Sequence, residues 1–482
     1  MKKKNLDHLK NHKLLTRRDF LSHGLVSGSA LAIGPSLLSF LFSRAAYGQE
    51  CVTEIMAANM KTPVLIFDLA GGANIAGSNV MAGGQGGQMD FLADYSTLGL
   101  PMNMHPSNPG QLNTELGLAF HSDSGMLRGI QSVTNAATRA NVDGCLFCNV
   151  SNDDTSNNPH NPAYWLNKAG AAGELVQIAG VRDSVSGGNS ISPSNSVDSS
   201  KLSIKIDNAS DARSLVTLGR LNDIFPDDNK VKRVLDTIQN MGNTRMAAFS
   251  SLSVPEQIKA LIDCGYVQAA SFLERYNSSE LDPLTDPDVI ATFNNLGNGD
   301  QQRTATIAKL LLDGYMGVGT VSKGGYDYHT GDRSTGEVRD FDAGQLIGRV
   351  LELARRKNKD LVIYVITDGG VAARGGIDNS ADGRGKLSWT SENGERSSTF
   401  MLVYKNNGRP AVLNNKRQIG WMKANGSVET SANLISNSVP TLAKAVVANY
   451  LALHGDEGML QEVVGDNPFG NNLANYIMFD KL

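Results

Sequence analysis

Cysteine is scarce in this chain: Cys51, Cys145, Cys148 and Cys264 are the four in 482 residues. Cys145 and Cys148 have CxxC spacing, but Cys51 and Cys264 stand alone, so the second pair that a structural zinc site needs is missing. A thioredoxin-type thiolate needs a helix starting at the pair. Here Asn149-Val150-Ser151-Asn152-Asp153 follows, which is no helix start, so the sequence favours structural or incidental thiols over thiol redox chemistry. Four is an even count that would permit disulfides after export, but their connectivity is not readable. The chain also lacks a basic run beyond its N-terminus. Its net charge is −4, which leaves no electrostatic footprint for a phosphate backbone and makes nucleic acid an unexpected partner. An uninterrupted apolar span is absent too: Leu25 to Phe42 is broken by Ser27, Gly28, Ser29, Gly34 and Pro35, a poor permanent membrane crossing.

What the N-terminus does contain is an export layout. A basic stretch from Lys2 to Lys13 precedes Arg17-Arg18-Asp19-Phe20-Leu21, then the broken apolar region, then Ala46-Tyr47-Gly48 with small residues where a signal peptidase cuts. This predicts a twin-arginine (Tat) signal over residues 1–48, with Arg17 and Arg18 read by the Tat translocase and a periplasmic or extracellular destination. A retained anchor is the rival reading. A lipoprotein is disfavoured because Gln49-Glu50 before Cys51 is not a lipid-attachment box. The signal holds eight Lys/Arg and two Asp/Glu, so its removal takes the net charge to −10.

Residues 49–482 alternate between strand and helix patterns. Thr62 to Gly72 is a short apolar run that ends in Asp68 and two glycines, and a glycine-rich stretch from Gly71 to Gln88 suits a close backbone turn. Asp183 to Ser200 reads as a surface loop. Residues 214–296 carry helical spacing and are read as an all-α insertion. Thr304 to Leu312 is then a helix, Val318 to Val321 a strand, and Gly324-Gly325-Tyr326-Asp327-Tyr328-His329 the loop leaving it. Phe341, Ile347, Val350, Leu351 and Ala354 share one helical face. The strand Leu361 to Ile366 comes next and ends in Thr367-Asp368-Gly369-Gly370. Continuous apolar strands alternating with helices predict an α/β fold, a mainly parallel sheet covered by helices.

Ligands of such sheets bind beyond the carboxyl ends of the strands. Asp68, Asp327 with His329, and Asp368 all fall at such ends, and three carboxylates with an imidazole suit a divalent cation able to polarise an oxygen or activate water. Taken singly, each acid is as well explained by capping a helix or ordering a turn.

These segments resemble the Tat-exported domain-of-unknown-function family 1501, grouped with the alkaline phosphatase and sulfatase superfamily. The resemblance covers most of residues 49–482. It is carried by the twin-arginine signal, Asp68-Leu69-Ala70-Gly71-Gly72, His160-Asn161-Pro162-Ala163-Tyr164-Trp165, the run from Ala308 to His329, and a last helix over Pro440 to Leu453. It implies an alkaline-phosphatase-like fold, with Asp68, Asp327, His329 and Asp368 as metal ligands; His160 reads as a structural histidine, or one just outside the ligand set, rather than as a ligand. The superfamily also implies a nucleophile, for which Thr155 and Ser156 are the nearest candidates. The sequence departs from it where Gly369 stands in place of a histidine after the last acid, so one cation, calcium or magnesium with zinc as the alternative, is expected rather than two zincs. Cys145-Leu146-Phe147-Cys148 lacks the proline and arginine of the sulfatase motif, which removes a formylglycine.

Two functions are expected from these readings: an exported metal-dependent phosphate or sulfate ester hydrolase, or a non-catalytic envelope binding or assembly protein whose hydrolase site has degenerated. His105, His121 and His454 read as capping or packing residues.

Overall fold

A computed structural model describes residues 60–151, 160–180, 204–216, 233, 278–326, 328, 331 and 333–482. The chain divides into two compact units, one of Glu54–Ala212 with Ser279–Leu482 and one of Met1–Thr53 with Arg213–Ser278. The second unit, with the signal residues Arg17 and Arg18 and most of the stretch read as a helical insertion, lies almost wholly outside the described residues.

The first unit is built around an eight-stranded sheet. In chain order the strands are β1 Val64–Leu69, β2 Val142–Cys148, β3 Val176–Gly180, β4 Ile204–Lys205, β5 Met316–Lys323, β6 Leu361–Ile366, β7 Ser398–Tyr404 and β8 Gln418–Ile419. Their spatial order is β8-β2-β7-β6-β1-β5-β3-β4. β7 alone among them runs against its neighbours β2 and β6, and every other pairing is parallel. β1 and β6 are buried along their whole length, which is why they read as unbroken apolar runs rather than as alternating ones.

Helices cover both faces. Val64 and Ile66 of β1 share a core with α2 (Ala163–Lys168) and α5 (Val439–Ala452). α5 begins where Ser438 accepts from Thr441 N, with proline in its first turn, the usual opening of a helix. The opposite face, marked by Gly319 of β5 lying under Ile307, meets α3 (Gly299–Leu312), and α4 (Arg333–Arg356) lies alongside α3 and against α1 (Gly125–Val133). α1 and α4 meet almost backbone to backbone: a Cβ added to Gly344 would stand 2.0 Å from Met126 O, and one on Gly129 2.1 Å from Phe341 O. No helix among the described residues is long and apolar enough to cross a membrane.

Candidate functional site at the carboxyl edge of the sheet

Being central, β1 delivers its last polar residue into the middle of the sheet's carboxyl edge. Asp68 is fully buried and pairs in register with Ser322 of β5 on one side and Ile366 of β6 on the other. The chain then turns through Gly71 (φ 114°) and Gly72 (φ 97°), left-handed conformations that glycine adopts without strain.

That turn is held by the exit of β6. Gly71 N donates to Asp368 Oδ1 at 2.7 Å and Ala73 N to Thr367 Oγ1 at 2.8 Å. Asp368, 4% exposed, is gripped on its main chain as well, since Ser151 Oγ donates to its carbonyl at 2.9 Å. Ser397 Oγ donates to the Gly369 carbonyl at 3.1 Å. Thus two of the four expected ligands, Asp68 and Asp368, come from neighbouring strands to one edge.

The β5 exit arrives at the same edge. Tyr326 N donates to Ala70 O at 3.2 Å and its hydroxyl to Arg339 O at 2.9 Å. Tyr328 stacks on Trp389, with ring centres 6.1 Å apart. Asp327 and His329, the other two expected ligands, lie outside the described residues, as do Thr155 and Ser156. Among the described residues no group of three or more His, Cys, Asp or Glu side chains is arranged to hold a metal ion.

His160 precedes α2 and is buried. Its neighbour Asn161 donates from Nδ2 to Thr320 Oγ1 at 3.1 Å, which ties the segment to β5 two residues before Ser322. Burial lowers the His160 pKa to about 3, so the imidazole is neutral near pH 7.

Glu392 carries no sequence signal of its own. It ends the second strand of a ribbon formed by Val371–Asp378 and Lys386–Glu392 directly after β6. Its Cγ lies 3.3 Å from where a Cβ on Gly72 would be, so a further acid lies against the glycine turn. Nothing in linear spacing marks it, because the ribbon folds back only after leaving the sheet. Ser151 is unmarked because its partner, the Asp368 carbonyl, lies 217 positions away in the sequence.

Cys145 and Cys148 are unlinked and buried within β2. Three residues apart on a strand, they point to opposite faces. Burial raises both thiols above their ordinary pKa, the reverse of what a reactive thiolate requires. His105 bonds Ser107 and the Leu92 carbonyl, His121 bonds the Met104 carbonyl, and His454 packs edge-on against Tyr450.

No protein-family model and no curated protein matches this chain.

Proposed function

We propose that the protein is an exported metal-dependent hydrolase of the alkaline phosphatase and sulfatase-like class, acting on a phosphate or sulfate ester. The observation that carries this reading is the convergence of Asp68 and Asp368, two buried acids from adjacent central strands, at the carboxyl edge of a mostly parallel sheet with helices on both faces. Ligand sites of open α/β sheets lie at this edge. A sheet of this architecture also suits the finer assignment to an alkaline-phosphatase-like fold.

The donor chemistry fits one divalent cation. Asp68 and Asp368 offer hard oxygen ligands, and Asp327 and His329 from the loop after β5 would complete the set. Such an ion, when bound, polarises an ester oxygen. The protein's own groups divide the remaining work. Gly71 N fixes one oxygen of Asp368 and so orients its carboxylate. His160 stays neutral and adds no positive charge to compete with the ion. Ser151 commits its proton to the Asp368 carbonyl, so the nucleophile falls to Thr155 or Ser156, in the segment following β2.

One observation favours the second reading, a non-catalytic envelope binding or assembly protein. Asp368 already serves as a turn brace through Gly71 N, a structural task that would keep an acid there after catalysis was lost.

Turnover of nitrophenyl phosphate and nitrophenyl sulfate by the metal-supplemented protein decides between them. Hydrolysis that disappears in Asp68→Asn, with the melting temperature unchanged, supports the hydrolase. A folded wild type that turns over neither ester moves the assignment to the binding protein.

A further inference from the structure

Asn79 closes the glycine-rich loop that leaves β1, and every group of its side chain is occupied. Its Nδ2 donates to Asn74 O at 2.7 Å and to Asp340 Oδ2 at 2.7 Å. Its Oδ1 accepts from Ser124 Oγ at 2.6 Å and from Met126 N at 3.1 Å, and its main-chain O accepts from His121 N at 2.9 Å. One amide therefore joins the loop to the start of α1 and to α4, and its partner on α4 is an acid.

That acid has been left out of the charge pairing around it. Glu337, one turn earlier on α4, takes the nearby cations: Lys386 Nζ at 2.8 Å from the ribbon, Arg128 Nη2 at 3.2 Å from α1, and Arg333 from α4 itself. Lys386 also donates to Asp123 O at 2.7 Å, and Arg384, in the turn between the ribbon's two strands, grips the Asp123 carboxylate. Asp340 is 2% exposed. Among the described residues its carboxyl receives the Asn79 amide alone, and its Oδ1 has no hydrogen-bond partner. Among the described residues, the Tyr326 and Tyr328 hydroxyls from the β5 exit also face it.

We propose that Asp340 makes the seat of the glycine loop proton-dependent: as a neutral acid it lets the junction of loop, α1 and α4 stay closed around Asn79, and as a carboxylate, although it accepts the Asn79 amide more strongly, its buried charge loosens that junction.

The cause is electrostatic. Ionised, Asp340 would be a buried charge one helical turn from the charged Glu337, with a neutral amide as its one donor, and an uncompensated buried charge is costly. Burial first and Glu337 second raise its pKa to about 7, against the opposing pull of Asn79, Arg333 and Lys386. The ordinary value is 3.8, so between the two the closed junction keeps a proton that the opened one releases. Closure is then strongest below that window and weakens as pH rises through it.

The test is amide hydrogen exchange over residues 71–84 of the full chain, corrected for the intrinsic pH dependence of exchange, in wild type and in Asp340→Asn. The wild-type protection factor, divided by that of the variant, should fall by up to about tenfold per pH unit between about pH 4 and 7, then level off. Taking the ratio cancels every group that titrates alike in both proteins. Asp340→Ser is the second variant if the amide does not fold. A ratio independent of pH overturns the proposal, whatever the outcome for hydrolysis.

Discussion

Asp368 Oδ1 accepts a hydrogen bond from the main-chain N of Gly71 at 2.7 Å, across 297 positions of sequence. Through it the exit of β6 positions the turn that follows Asp68 on β1. Asp368 thereby has two tasks, bracing a turn and, in the proposed site, binding a cation, and substitution can separate them.

Asp368→Asn retains an oxygen for Gly71 N and removes the charge, so the melting temperature should stay close to wild type while divalent cation binding falls. Asp368→Ala removes both and should cost about 1–3 kcal/mol, because the Gly71 N–H is left buried without its acceptor. Denaturant unfolding with calorimetric titration of calcium or magnesium checks the pair. Equal stability loss in both variants would show that charge, not the hydrogen bond, holds the turn.

The contact between α1 and α4 has no room for a methyl group at Gly344, where a Cβ would stand 2.0 Å from Met126 O. Gly344→Ala gains helix propensity worth up to about 1 kcal/mol but must push the two backbones apart. Overpacking of this kind costs about 1–3 kcal/mol and occasionally more, so net destabilisation is expected by chemical denaturation. A stabilised variant would mean that the helices separate freely.

His160 should contribute to acid sensitivity. Burial lowers its pKa from 6.5 to about 3, so between those values the unfolded chain takes up a proton that the folded protein refuses. Its contribution is complete above about pH 6.5 and is lost as pH falls toward 3. The stability difference between wild type and His160→Gln should shrink in that direction, by up to about 1.4 kcal/mol per pH unit. A difference independent of pH would mean that His160 accepts a proton in the fold. Asp340 acts with the opposite sign over part of the same range, so the wild-type profile alone does not separate the two groups.

Where burial is continuous, local pattern is enough. The apolar run Leu361 to Ile366 coincides with β6, β1 is visible as an apolar run and α4 as a helical face, and α5 falls where the resemblance places a last helix. Residues 142–148 are harder to read because Asp143 and Gly144 interrupt the run. In the structure Asp143 is buried against Arg417, at 2.8 Å, a partner 274 positions away that no local pattern contains. The site obeys the same rule. Asp68 and Asp368 are legible because each ends an apolar strand, whereas Glu392 against the glycine turn and the Lys386–Glu337 pair depend on the ribbon folding back after β6. Thr155, Ser156, Asp327 and His329 lie outside the described residues; the roles of Asp327 and His329 stand on their strand-end position and the resemblance, those of Thr155 and Ser156 on the resemblance.

Metal content speaks to the proposed cation site without reference to any substrate. Protein purified without chelator should be subjected to elemental analysis beside the Asp68→Asn/Asp368→Asn double variant, with circular dichroism confirming that both are folded. Wild type should carry close to one equivalent of a divalent cation and the variant none. A folded wild type that carries no metal and takes up none on addition of calcium, magnesium or zinc would contradict the site.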